Sequence, residues 1–157
     1  MRSKSSGFTV AELITVCAII AILTAMAMPV ARFGIRRQKE LELREKLRRI
    51  TEAIDRYRDL RTATAPNNIK EAASLGQGNY PKDLEELVKG VELTNGKKVK
   101  LLRQRDLVDP MTGKKEWIEL SDTDDPDATS GNGMNVFDVH SKSHALALDG
   151  KTHYNEW

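Results

Sequence analysis

Cysteine, net charge and catalytic signatures are all scarce in this 157-residue chain, and each scarcity excludes something. A single cysteine, Cys17, rules out an intrachain disulfide and any C-x-x-C motif. It lies in an apolar run, where a small packing residue facing lipid or a neighbouring helix is the simplest reading. The net charge of +2 comes from the first residues: without Arg2 and Lys4, 23 basic side chains face 23 acidic ones. Such a balance gives no basic field for nucleic acid. No G-x-S-x-G, H-E-x-x-H, P-loop or dinucleotide fingerprint occurs. The length suits an anchor and one small domain rather than two sizeable cores.

Charge is also missing from Phe8 to Val30, a run of 23 residues whose only ionisable acid is Glu12. At 1.5 Å per residue such a helix reaches about 34 Å, enough for a hydrocarbon core of about 30 Å. A carboxylate inside a span costs roughly 2.5 kcal/mol or more unless it snorkels or meets a partner. No Lys, Arg or His lies between Phe8 and Ala31, so a partner comes from a chain terminus or another molecule. A secretory signal peptide ending at Ala27 is the rival reading, with Arg2 and Lys4 as its basic region and Ala25-Met26-Ala27 as its cleavage site. The length of the apolar run and the acid inside it argue against that reading.

Gly7-Phe8-Thr9-Val10-Ala11-Glu12 after a short basic leader resembles the class III signal of type IV pilins and type II secretion pseudopilins. The resemblance implies that a prepilin peptidase cuts after Gly7 and methylates the new N-terminal Phe8. It further implies that Glu12 guides assembly by meeting the Phe8 amine of a neighbouring copy. Pro29 falls where many members carry a proline in the anchor helix. Arg32, Arg36, Arg37 and Lys39 outnumber Arg2 and Lys4, so the positive-inside rule alone does not favour an inward N-terminus. The resemblance implies a cytoplasmic N-terminus and a periplasmic head.

Beyond Pro29, Leu43, Leu47, Ile50, Ile54 and Tyr57 recur in steps of four and three, one face of an amphipathic helix. Glu40 with Arg44, Glu42 with Lys46, Glu45 with Arg49 and Glu52 with Arg56 form i,i+4 pairs in the favourable order. One helix is therefore expected from Phe8 to about Arg61, kinked or locally melted at Pro29 and stopped by residues 62–68. The organisation read from the sequence is leader 1–7, span 8–30, amphipathic half 31–65 and head 66–157. In the head, residues 81–88 read as a short helix ended by Gly90. Residues 99–102, 116–120 and 135–139 read as short antiparallel strands packed on the long helix. The expected fold class is α+β.

Tyr80-Pro81-x-x-Leu84-x-x-Leu87, Asp109-Pro110-Met111-Thr112-Gly113-Lys114, Phe137-Asp138-Val139-His140-Ser141 and Ala147-Leu148-Asp149-Gly150 resemble the head of the major pseudopilin of type II secretion. The loop 121–133 departs from that pattern. Many such pseudopilins bind calcium in the head, so the resemblance raises a structural Ca²⁺ held by Asp122, Asp124, Asp125 or Asp127, with Asp138 or Asp149 contributing. Ca²⁺ needs six to eight oxygens, and an EF-hand spacing is missing; the simpler reading is an acidic solvated loop. His140 and His144 are four apart but follow a strand-like pattern, which argues against a zinc pair. Asp138, His140 and Ser141 carry the residue types of a hydrolase triad, yet neighbouring strand positions point to opposite faces. Trp117, Tyr154 and Trp157 read as packing residues.

The resemblance implies a structural subunit and no enzyme. It would be inserted in the inner membrane and extracted by an assembly platform and its ATPase. It would then polymerise with itself and with minor pseudopilins into a helical filament that drives export across the outer membrane. A type IV pilin for adhesion, motility or DNA uptake is the nearest alternative, disfavoured by the lack of a cysteine pair. A membrane-anchored binding module is the other.

Overall fold

The computed structural model describes residues 7–64, 68–71, 73 and 77–157, with backbone alone at 28–30. Two compact units make up the chain, Met1–Gln38 and Lys39–Trp157.

Helix α1, Val10–Thr62, contains 53 residues and belongs to both units. It starts two residues later than expected because Thr9 caps it: Thr9 Oγ1 accepts the Glu12 N–H at 3.3 Å and the Thr9 carbonyl accepts the Leu13 N–H at 3.1 Å. Its end at Thr62 agrees with the expected stop, although 65–67 of the terminating stretch lie outside the described residues. The backbone is helical through position 29 without interruption, so no local melting occurs there; the Pro29 side chain lies outside the described residues.

In the second unit the apolar stripe of α1 is the spine of the core. Leu43, Ile50, Ile54 and Tyr57 are buried, and Leu47 packs partly against them. Against this stripe lie Leu84, Leu87, Trp117, Val139 and Tyr154 of the head. Each such side chain contributes roughly 1.5–3 kcal/mol on burial. Two of the expected i,i+4 pairs form, Glu42–Lys46 at 2.9 Å and Glu45–Arg49 at 3.0 Å. Glu52 instead faces Arg48 at 3.9 Å, and Glu40 and Arg44 are engaged elsewhere.

Helix α2, Leu84–Lys89, begins at Asp83, whose carboxylate accepts the Glu86 N–H, and ends at Gly90. Pro81 therefore stands two residues before the cap rather than in the first turn. Strand β1, Val91–Glu92, pairs antiparallel with β2, Lys98–Val99. The connecting turn contains Asn95-Gly96, where a φ of 78° suits glycine. Strand β3, Trp117–Leu120, pairs antiparallel with β4, Asp138–Ser141, in the register Leu120↔Asp138. Short 3₁₀ helices span Gln104–Leu107 and Tyr154–Glu156.

The fold is thus α+β, with one long helix and small antiparallel sheets. The strands differ from expectation in place and number. Residues 101 and 102 leave the ladder because both N–H groups turn to the Leu87 carbonyl, at 3.0 and 3.1 Å. The strand expected from 135 starts at Asp138, since the Val136 N–H bonds to Pro81 O at 2.8 Å. Among the described residues, two separate two-stranded sheets result instead of one three-stranded sheet.

Candidate functional site

The first unit presents its apolar side chains outward. Phe8 is 82% exposed, and Leu13, Ile14, Ile19, Ile20, Ile22, Leu23 and Met26 are exposed along α1. Among the described residues nothing in the apolar stretch is buried, and α1 is long and apolar enough to cross a membrane. Contiguous apolar surface on this scale marks contact with lipid or with other protein. Gly7 and Phe8 are exposed and precede the helix; Cys17 is exposed within it. Glu12 occupies the third helical position, three residues after its cap Thr9, in the T-x-x-E spacing of a capping box. An acid there also faces the positive end of the helix dipole. Glu12 thus has a local reason to be acidic beside any role in assembly.

The four loop aspartates proposed as calcium ligands are near one another in sequence, but oxygens of three of them, Asp122, Asp124 and Asp125, already accept hydrogen bonds from nearby protein groups. Asp124 Oδ2 accepts N–H groups from Ser121 at 2.8 Å and Asn132 at 3.0 Å. Asp122 Oδ1 accepts from Asn135 Nδ2 at 2.9 Å, and the Asn135 amide oxygen accepts the Asp122 N–H at 3.2 Å. Asp125 Oδ1 accepts the Asp127 N–H at 3.4 Å. Asp138 caps its own strand through Val139 N–H at 2.8 Å and faces His140 at 3.5 Å. Asp149 closes a separate turn, accepting from Lys151 N–H, Thr152 N–H and Thr152 Oγ1. These donors, the Lys151 N–H first, hold its pKa down at about 2. Among the described residues, no group of three or more acidic, His or Cys side chains is arranged to hold a metal ion.

The triad-like residues separate as the strand alternation requires. Asp138 and His140 share one face of β4, where the hydrogen bond between them raises the His140 pKa and lowers that of Asp138. Ser141 points the other way and donates to Asp109 Oδ2 at 2.7 Å in the core. Both Ser141 and Asp109 are fully buried, and Asp109 Oδ1 accepts the Met111 N–H at 2.8 Å. This serine is a structural donor to an acid rather than a nucleophile beside a base. His144 is exposed in a loop beyond the strand.

Three polar anchors are not apparent in the sequence. Glu40 Oε1 accepts from the Leu148 N–H at 2.7 Å and the Tyr154 hydroxyl at 2.8 Å. The Arg44 guanidinium lies over the Trp157 ring at 4.4 Å. The Tyr57 hydroxyl donates to Glu86 at 2.8 Å and accepts from Arg61 and Gln77, while burial pushes its pKa upward. Trp117 donates from its indole N–H to Leu107 O at 2.7 Å, in keeping with its expected packing role.

A groove of about 560 Å³ runs beside α1, lined by Arg49, Glu52, Asp55, Arg56, Arg103 and Asp106 among others. Acidic and basic groups both line it in equal number, so it has no field of one sign to select a charged ligand. Comparison with protein-family models, curated proteins and solved structures finds no match to this chain.

Proposed function

We propose that the chain is a structural subunit of a helical filament of the type II secretion pseudopilus kind, anchored in the inner membrane through residues 8–30. The observation that carries this reading is the joining of two unlike halves in α1. The described side chains of its first part are exposed and mostly apolar, and its second part is the buried spine of a small α+β head. An element of that design suits a subunit that waits in lipid and then buries its apolar helix among copies of itself. Repeated head-to-tail contacts then give an open helix.

Gly7, Phe8 and Glu12 support the processing and assembly steps by their spacing. Prepilin peptidase would act after Gly7, and the Phe8 amine of one copy would meet Glu12 of another. The platform, its ATPase and minor subunits are the partners this reading calls for, and the head would be periplasmic. No catalytic role is assigned.

Mass measurement and N-terminal sequencing of the mature protein from membranes test the proposal. The expected start is N-methylated Phe8. A start at Met28 would leave a secreted head without its anchor and remove the basis for assembly.

A further inference from the structure

We propose that Arg32, Arg36 and Arg37 form a binding site for anionic phospholipid headgroups at the C-terminal end of the membrane span; this rests on the reading of residues 8–30 as that span. Arg32 is the first basic residue after Lys4. It follows Phe8 by 24 positions, about 36 Å along a helix, which puts it at headgroup level on the far side of a hydrocarbon core of about 30 Å. The three arginines belong to one helix and one compact unit. At 100° per residue, Arg32 and Arg36 share a face and Arg37 lies one step round, so the three positions span an arc of about 140°.

Two further features point to lipid rather than plain solvent. Phe33 and Ile35 alternate with the arginines and are 56% and 60% exposed. Apolar side chains beside guanidinium groups match the boundary between acyl chains and headgroups. Glu12, near the opposite end of the span, is the only acidic residue in the first 38. Residues 31–39 carry four basic side chains and no acid, and the next acids are Glu40 and Glu42. Guanidinium also suits phosphate because its planar fork offers paired donors. The cluster lies on the side where the positive-inside rule does not call for it, if the N-terminus faces the cytoplasm. Headgroup binding gives it a function there.

The test uses the full chain reconstituted in phosphatidylcholine vesicles, with spin-labelled phosphatidylglycerol or spin-labelled phosphatidylcholine as probe. The motionally restricted fraction of each label gives relative affinity. A preference of several-fold for phosphatidylglycerol is expected, with about fivefold per basic residue as the ceiling. It should fall toward unity at about 0.5 M salt and in R32Q/R36Q/R37Q, and be weakened but stay above unity in R32K/R36K/R37K. Equal restriction of both labels around the inserted wild-type chain overturns the inference and leaves the membrane reading standing. A preference that survives in R32Q/R36Q/R37Q overturns it too, since another part of the chain then carries it. Failure of the wild-type chain to float with vesicles of either composition removes the span itself.

Discussion

The Tyr154 hydroxyl donates to Glu40 Oε1 at 2.8 Å, joining residues 114 positions apart. The same oxygen accepts the Leu148 N–H, so one carboxylate on α1 holds both the turn 147–150 and the C-terminal 3₁₀ helix. Arg44, one helical turn on, adds the ring of Trp157. Together they latch the last ten residues onto the helix.

Removing this latch has graded consequences. Tyr154→Phe deletes one donor and leaves the Leu148 bond, and it should cost about 1 kcal/mol. Glu40→Ala strands two donors and should cost about 1–3 kcal/mol. Urea unfolding of the full chain in detergent, followed by tryptophan fluorescence, measures both. Equal stability of the two variants would show that Glu40 does not hold both donors.

Asp109 should be less tolerant than any loop aspartate. Its carboxylate is fully buried and accepts from Ser141 and Met111. Asp109→Ala leaves a buried hydroxyl and a backbone N–H without partners, for a loss of about 2–4 kcal/mol. Asp125→Ala, at an exposed position, should change the same midpoint by less than about 0.5 kcal/mol. A reversed order would place the structural acid in the loop.

The parts of this arrangement that were legible in the sequence are those written as repeats. The α1 stripe repeats its period from Leu43 to Tyr57, and Tyr57 is as buried as the pattern demands. The latch was hidden because Glu40 and Arg44 have the spacing of a surface ion pair, while their actual partners lie more than 100 positions away. The strands were misplaced for a similar reason. The Leu87 carbonyl and the Pro81 carbonyl draw N–H groups out of the ladders, and neither is local in sequence. The aspartates of 122–127 are hard ligands by type, but loop N–H groups already occupy Asp124 Oδ2 and Asp125 Oδ1.

The pair of Asp138 and His140 sets a pH window. The His140 pKa is raised in the folded chain, chiefly by its hydrogen bond to Asp138 and against the effect of burial. Its contribution is therefore complete below the ordinary imidazole value of 6.5 and fades as pH rises through the higher folded value. Asp138, lowered first by His140, contributes above its ordinary 3.8 and loses that contribution as pH falls through the folded value. Between about pH 5.5 and about pH 8.5 the wild type should lose less than about 1 kcal/mol relative to His140→Gln, because Asp138 is half exposed. Parallel slopes in the two proteins would show that the pair adds nothing.

Gly131 lies where a Cβ would overlap the Glu119 carbonyl oxygen and crowd Asp124. Gly131→Ala should push the loop 121–133 off β3 and cost about 1–3 kcal/mol, whereas Ser130→Ala, at an exposed neighbour, should be silent. Amide exchange at Ser121 and Asn132, which donate to Asp124, reports the loop directly. Unchanged protection in Gly131→Ala would mean that the loop rearranges without loss.

Glu12 has two separable roles, and substitutions divide them. As the third residue of a helix capped by Thr9, it supports the start of α1. As the only acid in the span, it is the proposed partner of the Phe8 amine of another copy. Glutamine keeps the T-x-x-E/Q spacing of a capping box and removes the charge. Glu12→Gln should therefore insert in membranes and keep a wild-type head, yet fail to form cross-linkable oligomers. Thr9→Ala should do the reverse, fraying the first turn by about 1 kcal/mol while oligomers still form. Cross-linking in membranes, with urea unfolding of the head as control, distinguishes the two. Full assembly of Glu12→Gln would remove its proposed role in assembly.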